Sequence, residues 1–427
     1  MNSRNKRVAF FVRAYNDADH FVPLIAEFVL KEENPLVVIN TDLDIDNDYR
    51  FNYLKTLGNF EVIRDPDEEY IKFSKKNGFI HNILQKFYLL KRNRKSLLGR
   101  IHRYLFYSCK DQIEFLRSKN VSICAFEWST PYARGELVEK YFFAAKGIGI
   151  TTIAIPHGCN IFLNSDVTSA YRGLVQKGKI PDQSDTKLFD YYIFQNPMRR
   201  DGWIKWGFDP MKAQAWGSLR FYPDWALKNR EICPKFEFKE DSSEKIKIVF
   251  MQFQKEYNLK NELIFDTLKK ISFLDNILLT VKDATREGKE YYDRNKKANT
   301  LGNSLVGWYG NEVHSPALVD WADIVIVIGG SIGIEAILQN KTLIYPLYLN
   351  TNSTLYEYFE AAYCPETYKE LENLLIDKIN GKDLPELKGA KELIKEIVYA
   401  GKERFNVPQK YYEQFKALNL NYGKFFN

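Results

Sequence analysis

Short apolar stretches rich in β-branched residues alternate along the chain with longer amphipathic ones. In the first half this pattern predicts strands at 8–13, 35–40, 122–127 and 151–155 and helices at 20–30 and 135–146. A second series follows, with strands at 247–252, 277–281, 305–308, 324–328 and 342–346 and helices at 261–271 and 332–339. Such alternation is typical of parallel sheets covered by helices. The sequence therefore predicts an α/β protein with two Rossmann-like domains.

The domain limits follow from a break in this pattern. The stretch from Phe221 to Glu244 contains Pro223, Pro234 and mixed charges, which suits an interdomain linker. We predict an N-terminal domain at 1–235, a C-terminal domain at 236–395 and a helical segment at 396–427. The last stretch, from Leu387 to Phe426, is charged and amphipathic, so we expect its helices to cross back onto the first domain.

Composition narrows the class of protein. The 427 residues are 45% hydrophobic and 27% charged, as in chains that fold into two or three compact domains. The five cysteines form no CxxC pair, so neither a zinc cage nor a disulfide framework is indicated. The N-terminus has no signal-peptide core, and no run of about 18 apolar residues occurs. We expect a cytoplasmic protein without a membrane span.

The net charge of +6 is unevenly distributed. The stretch from Lys75 to Lys110 contains ten Lys or Arg and no Asp or Glu, interleaved with apolar residues at helical spacing. Two interpretations stay open: a basic helix face in water, or peripheral contact with an anionic membrane at the inner face of the cell membrane. No nucleic-acid motif accompanies the block, so a nucleic-acid partner is not expected.

The strongest chemical signal lies in ADIVIVIGGSIGIEAILQNKTLIYP, residues 322–346. A buried apolar strand runs into Gly329, Gly330 and Ser331 and then into a helix, so free backbone N–H groups face the carboxyl edge of the sheet. Two glycines permit close approach of a phosphate, and Ser331 is suited to cap the helix. Glu335 follows one helical turn later, where a carboxylate suits two ribose hydroxyls.

Other nucleotide motifs do not fit. The segment lacks GxGxxG and GxxxxGK[ST], which argues against a nicotinamide dehydrogenase and a P-loop nucleotidase. The run from Asp42 to Asp48 alternates Asp with other residues after a predicted strand, but it lacks the glycine and the distant Glu of a calcium loop. We predict no metal site and no cofactor.

Residues 305–346 resemble the donor domain of GT-B nucleotide-sugar glycosyltransferases, especially bacterial enzymes of capsule, O-antigen and other surface polysaccharides. The resemblance rests on the Gly-Gly-Ser turn, on Glu335, on Asn340-Lys341-Thr342 in place of Gly-Lys-Pro, and on the segment from His314 to Asp323. It implies that the two Rossmann-like domains face each other across a cleft. It also implies a metal-independent transferase that binds a nucleotide-sugar donor in its second domain.

The same resemblance implies further donor contacts. Ser315 lies where such enzymes commonly meet the donor, and Lys282 lies where they often carry a basic residue, although the turn here has no His or Pro. A lysine at the end of a strand neutralises a leaving phosphate. Arg220, in a Gly-Ser-x-Arg stretch at the expected hinge, is predicted to reach the cleft.

Candidate catalytic residues lie at strand ends in the first domain. His157 follows a strand in Pro-His-Gly, a motif that recurs in the resembling enzymes, and suits a general base or a phosphate contact. Asp19 and His20 follow the first strand, where GT-B enzymes often place the base, and Glu127 ends another strand. Asp19 also suits a helix cap.

We therefore expect a glycosyltransferase that moves a sugar from a nucleotide-activated donor to a surface polysaccharide or lipid-linked glycan. Three alternatives stay open. One is a polyol-phosphate transferase that uses a cytidine-activated alcohol, and another is a catalytically silent scaffold of a polysaccharide assembly complex. The third is a non-hydrolysing nucleotide-sugar 2-epimerase, although Glu335 is one glutamate where that family has two.

Overall fold

The computed structural model describes residues 6–13, 15–39, 44–64, 109–127, 136–155, 161–164, 166–179, 188–238, 244–254, 256–284, 301, 306–310 and 312–422. Most of the basic block at 75–110 lies outside these residues, as does His157. No helix in the described part of the chain is both long enough and apolar enough to cross a membrane.

Seven parallel strands form the first sheet. They are β1 (Arg7–Val12), β2 (Leu36–Ile39), β3 (Glu61–Arg64), β4 (Val121–Glu127), β5 (Thr151–Ile155), β6 (Tyr191–Phe194) and β7 (Ala213–Ala215). The helices of this half are α1 (Tyr15–Leu30), α2 (Tyr49–Leu57), α3 (Lys110–Ser118), α4 (Glu136–Gly147), α5 (Ser169–Val175) and α6 (Pro197–Lys205). The spatial order is β3-β2-β1-β4-β5-β6-β7, so the direction of winding reverses between β1 and β4.

Five parallel strands form the second sheet. They are β8 (Ile246–Met251), β9 (Ile277–Lys282), β10 (Val306–Tyr309), β11 (Ile324–Val327) and β12 (Thr342–Ile344). The helices from the connection onward are α7 (Pro223–Ile232), α8 (Asn261–Ser272), α9 (Ser315–Trp321), α10 (Ile332–Leu338), α11 (Leu355–Tyr358), α12 (Tyr368–Ile379), α13 (Ala390–Val398) and α14 (Val407–Tyr422). The order β10-β9-β8-β11-β12 repeats that of the first five strands, and the predicted fold class is confirmed.

Both sheets are buried on both faces, which explains why their strands are almost wholly apolar. All seven residues of β4 and all four of β11 are buried. On one face of the first sheet the rings of Phe11 and Phe126 stack at 4.6 Å. On the other, Phe10 packs against Phe21 and Phe28. One apolar cluster continues from this face into the second half.

The C-terminal helix α14 packs on α1, so the predicted return to the first half is confirmed. The Phe415 ring stacks on Phe10 at 6.2 Å, and Tyr411 meets Trp216 edge to face at 5.1 Å. The Tyr411 hydroxyl donates to the Gly217 carbonyl at 2.9 Å. Gly217 has φ +94, and a Cβ there would lie 2.3 Å from the Val398 carbonyl oxygen, so only glycine fits this crossing.

Residues 221–238 of the predicted linker are more ordered than its composition indicated. Helix α7 occupies much of it and packs against α2, α9 and α10. Pro223 stands in the first turn of α7, where its missing N–H costs no hydrogen bond. Trp225 and Asn229 are buried, and Asn229 accepts a hydrogen bond from Tyr49 at 3.1 Å. The connection therefore joins the two halves as a packed element. The domain boundaries near 235 and 395 stay predictions.

A buried amide joins the halves at a second place. The Nδ2 of Asn352 donates to the carbonyl oxygens of Val167, at 3.1 Å, and Tyr257, at 2.9 Å. Its Oδ1 accepts from Asn164 and Asn258, both at 2.9 Å. All four hydrogen bonds of a primary amide are thus made. The segment after β5 is therefore tied to the second half.

Candidate active site

The turn after β11 lies at the carboxyl edge of the second sheet, beside β8, where the strand order reverses. Crevices at such points bind ligands in doubly wound folds. The Tyr356 hydroxyl donates to the Gly330 carbonyl at 3.0 Å. A Cβ on Gly333 would lie 2.7 Å from the same hydroxyl oxygen. Tyr356 therefore holds the turn against the start of α10.

The two glycines of the turn have different surroundings. A Cβ on Gly329 would lie 2.5 Å from Cδ1 of Phe253, so the Phe253 ring leaves no room for a side chain at this position. A Cβ on Gly330 would meet no atom closer than 3.6 Å. The packing therefore explains Gly329 without a ligand, and Gly330 remains the glycine that a phosphate can approach.

Ser331 does not cap α10 with its side chain, contrary to the prediction. It occupies the N-cap position with φ −73 and ψ −4, and its hydroxyl makes no capping hydrogen bond. A side-chain cap normally needs extended backbone at this position, which Ser331 does not have. The hydroxyl is half-buried at the edge of the turn.

Glu335 is buried at 3% exposure and faces the other half of the molecule. Its Oε2 lies 4.0 Å from Nη2 of Arg220, and its Oε1 has no hydrogen-bond partner among the described residues. Burial raises the pKa of Glu335 to about 7; Arg220 opposes this rise and Asp19 adds to it. A buried carboxylate with an unused acceptor atom is suited to receive hydroxyl donors.

Arg220 connects Glu335 to the first half. Its Nη1 lies 3.3 Å from Oδ2 of Asp19, at the start of α1. The Oδ1 of Asp19 pairs with Arg50. Each oxygen of Asp19 therefore faces a guanidinium group. The predicted role of Asp19 as the base stays a prediction.

Arg50 is one of the residues near Glu335 that were not predicted from the sequence. It is 4% exposed, and its guanidinium pairs with Asp48 at 2.5 Å in addition to Asp19. Asp48 also caps α2 by accepting from the Arg50 backbone N–H at 2.9 Å. The sequence signal for α2 was its cap, an aspartate at the end of an acidic loop. Nothing in the local pattern indicates that an arginine two residues later is buried.

His20 lies beside this charge cluster and is 2% exposed. Burial, Arg220 and Arg50 together hold the pKa of His20 well below its usual value. Its imidazole is therefore neutral near pH 7. A neutral imidazole retains the lone pair that a base uses, but the bulk of the side chain is enclosed.

Glu127 ends β4 and is buried against Arg13 at the end of β1, with which it forms an ion pair. Asp17 accepts a hydrogen bond from the Arg13 backbone N–H at 2.8 Å. These residues stand at the point where the strand order of the first sheet reverses. The pairing with Arg13 accounts for the burial of Glu127, and its predicted catalytic role stays a prediction.

Lys282 ends β9 and is 3% exposed. Its Nζ donates to the Gly310 carbonyl, and its charge helps to lower the pKa of His314, after burial and Arg50. Ser315 begins α9 and is half-buried. His314, which the sequence analysis did not assign to the site, meets the Tyr49 ring edge to face at 4.9 Å. The α9 start and Lys282 thus adjoin the Arg50 cluster.

His157 lies outside the described residues, and so do Pro156 and Gly158. Of the acidic run at 42–48, residues 42 and 43 also lie outside them. Within the described part of the chain, no group of three His, Cys, Asp or Glu side chains forms a candidate metal site.

The described residues therefore combine two kinds of group between the halves. Arg220 places positive charge beside Asp19 and Glu335, and the charge of Lys282 acts on His314. Glu335 supplies a buried acceptor beside the turn at Gly330. This combination suits a ligand that carries both phosphate and hydroxyl groups.

No protein-family model matches the chain, and no curated protein sequence matches it. Solved structures do match it along its length. MnaA from S. aureus, solved with UDP, is 14% identical with a TM-score of 0.57 and covers 97% of this chain and 98% of its own. The UDP-GlcNAc 2-epimerase from Neisseria meningitidis, bound to UDP-GlcNAc, is 11% identical with a TM-score of 0.56 and covers 97% of this chain and 99% of its own.

HepE from Anabaena, solved with UDP and glucose, is 11% identical with a TM-score of 0.55. It covers 97% of this chain and 100% of its own length. At this identity the likeness establishes the fold. The chain is similar to two-domain GT-B-like proteins along almost its whole length, and this agrees with the fold that the strand pattern predicts.

Proposed function

We propose that the chain is a glycosyltransferase that takes a sugar from a nucleotide-activated donor. The observation that carries this proposal is Glu335, whose buried Oε1 has no partner among the described residues while Oε2 faces Arg220 at 4.0 Å. Two ribose hydroxyls of a nucleotide would satisfy this carboxylate. The binding of UDP or UDP-sugars by proteins of the same fold supports this assignment.

The donor's phosphate would lie between Gly330 and the cations. Gly330 and Ser331 would present backbone N–H groups to it, and Ser315 would contact it from the start of α9. Arg220 and Lys282 would stabilise the negative charge that develops on the leaving phosphate without a metal ion. The donor would thus be held by both halves, with Arg220 contributed by the connection between them.

The acceptor proton would go to a histidine. Asp19 and Glu127 are both paired with arginines, so His157 and His20 remain as candidates for the base. The acceptor would be a surface polysaccharide or a lipid-linked glycan at the inner face of the membrane, and the basic block at 75–110 would hold the protein there. Flotation with anionic liposomes at low and high salt tests this contact, and absence of salt-sensitive binding contradicts it.

The donor assignment is tested by calorimetry with UDP, CDP, GDP and CMP, followed by transfer assays with the matching sugars. Glu335→Gln should weaken binding of the preferred nucleotide at least tenfold, because neutral glutamine accepts hydroxyl hydrogen bonds more weakly than a carboxylate. Glu403→Gln, which changes an exposed glutamate between α13 and α14, is the control. Unchanged nucleotide affinity in Glu335→Gln would contradict the proposal.

A sugar 2-epimerase is the second candidate, because structures of UDP-GlcNAc 2-epimerases match almost the whole chain. Proton NMR of UDP-GlcNAc in D₂O separates the two activities. An epimerase exchanges the proton at C2 and forms the epimer without any acceptor, whereas a transferase leaves C2 unchanged. Appearance of the epimer would replace the transferase assignment.

A further inference from the structure

Five charged side chains form an alternating series that crosses from one half to the other. Asp48 pairs with Arg50, Arg50 with Asp19, Asp19 with Arg220, and Arg220 with Glu335. Three are acidic and two are basic, so the series carries one negative charge in excess when every group is ionised. Glu335 is the end member, with the longest of these contacts and an oxygen that has no described partner.

Arg220 is shared unequally between its two carboxylates. It lies 3.3 Å from Asp19 and 4.0 Å from Glu335, and Asp19 is itself held by the buried guanidinium of Arg50. Because charge interactions strengthen at short distance and in partly buried surroundings, Asp19 draws Arg220 away from full pairing with Glu335. The position of the Arg220 guanidinium is therefore determined mainly by Asp19, in the first half of the molecule.

We infer that Asp19, held by Arg50, is a positioning residue of the donor site that places Arg220 and sets the charge with which Glu335 meets a nucleoside diphosphate. This inference rests on the proposed function, since it concerns how the same site binds its donor. Asp19 acts through Arg220 and does not contact the donor.

Four described residues interact electrostatically with the Glu335 carboxyl. Arg220 favours its ionised form, and Asp19 opposes it. The Tyr49 phenol on α2 and the Cys233 thiol after α7 are neutral near pH 7, because burial raises the pKa of both groups. Removing the charge of Asp19 takes away the opposing group and releases Arg220 towards Glu335. Both effects lower the pKa of the Glu335 carboxyl.

The test measures the affinity for UDP-glucose as a function of pH, from 5 to 9, by calorimetry. Its diphosphate is esterified at both ends and does not titrate in this range, unlike the terminal phosphate of UDP. If the ribose contact needs ionised Glu335, affinity in the wild type falls below a transition near the pKa of Glu335, about 7. In Asp19→Asn the transition should move to lower pH by about one unit, the order of shift that one nearby charge produces. In Glu335→Gln the transition should disappear.

Two further variants make the result specific. Asp19→Glu retains the charge and should keep the transition at the wild-type pH. Asp201→Asn removes an exposed aspartate paired with Arg200 on α6, and it should also leave the transition in place. If Asp19→Asn does not fold, Asp19→Ser supplies the uncharged protein.

The outcomes separate the two claims. Wild-type and Asp19→Asn transitions at the same pH would overturn the inference while the donor site stands. A shift in Asp19→Asn that Asp19→Glu repeats would also overturn it, because the charge would not be the cause. If the wild type binds none of the four nucleotides, the proposed function fails and the inference fails with it.

Discussion

The Arg220 guanidinium lies 4.0 Å from the Glu335 carboxylate, and this contact joins the segment just before α7 to the helix that follows β11. A ligand that enters between these groups would touch both halves at once. Changes to either residue should therefore alter ligand binding and the stability of the interface together.

The raised pKa of Glu335 predicts a stability that depends on pH. A carboxyl whose pKa rises from 4.5 in the unfolded chain to about 7 in the folded one stabilises the fold most below pH 4.5, and this contribution is lost as the pH rises to 7. Relative to Glu335→Gln, the wild type should lose on the order of 3 kcal/mol between pH 4.5 and 7.5.

Urea unfolding of both proteins across this range measures the difference. The exposed Glu403 provides the control. Lys395 lowers the pKa of Glu403, so any dependence on pH in Glu403→Gln should have the opposite direction. A constant difference between the wild type and Glu335→Gln would show that Glu335 titrates normally.

Arg50 should be essential for stability. Arg50→Met leaves Asp48 and Asp19 without their buried cation, and removal of one partner from a buried ion pair costs about 3–5 kcal/mol. Arg64→Met breaks an exposed Arg64–Asp46 pair nearby and should cost less than about 1 kcal/mol. Chemical denaturation measures the free energy of unfolding of both variants. Equal losses would show that burial does not make the Arg50 ion pairs more important for stability than the exposed pair.

The strand pattern was sufficient for the fold because parallel strands buried on both faces are continuous apolar runs. Val121–Glu127 and Ile324–Val327 could be read directly from the sequence for this reason. The short edge strand Glu61–Arg64 was missed, since its partly exposed residues have no apolar run. Helix α7 was missed because Pro223 was interpreted as a break, whereas proline in a first helical turn is favourable.

The crossing at Gly217 predicts a large difference between two glycine substitutions. Gly217→Ala combines φ +94 with a Cβ 2.3 Å from a backbone oxygen, so a loss of about 3 kcal/mol or more is expected. Gly178→Ala has φ +66 with nothing within 4 Å and should cost about 1 kcal/mol. Thermal and urea unfolding provide the comparison. If both variants lose similar stability, the positive φ alone determines the cost, and the close contact at Gly217 does not add to it.

The two glycines of the turn should separate packing from binding. Gly329→Ala pushes on the Phe253 ring and should cost about 1–3 kcal/mol of stability. Gly330→Ala should change stability by no more than about 0.5 kcal/mol. It should nevertheless weaken UDP binding about tenfold, because the added methyl occupies space proposed for the phosphate. If Gly330→Ala binds UDP with full affinity, the proposal that the phosphate lies at this turn is wrong.

The candidate site was predictable only in part. Glu335 and the turn could be located because one strand, one turn and one helix are adjacent in sequence. The partners of Asp19 could not, since Arg50 and Arg220 reach it from separate elements and the distances depend on the packing of α1, α2 and the connection. The local sequence shows that Asp19 carries a carboxylate, but only the fold shows that the guanidinium groups of Arg50 and Arg220 lie beside it.

The position of α14 bears on how the protein is made. Its Phe415 covers part of Phe10 in β1, so the first sheet gains this cover from a helix that is synthesised after both sheets. During synthesis the first sheet would carry a partly uncovered aromatic surface until α14 has been made. Surfaces of this kind are where chaperones bind and where truncated products aggregate.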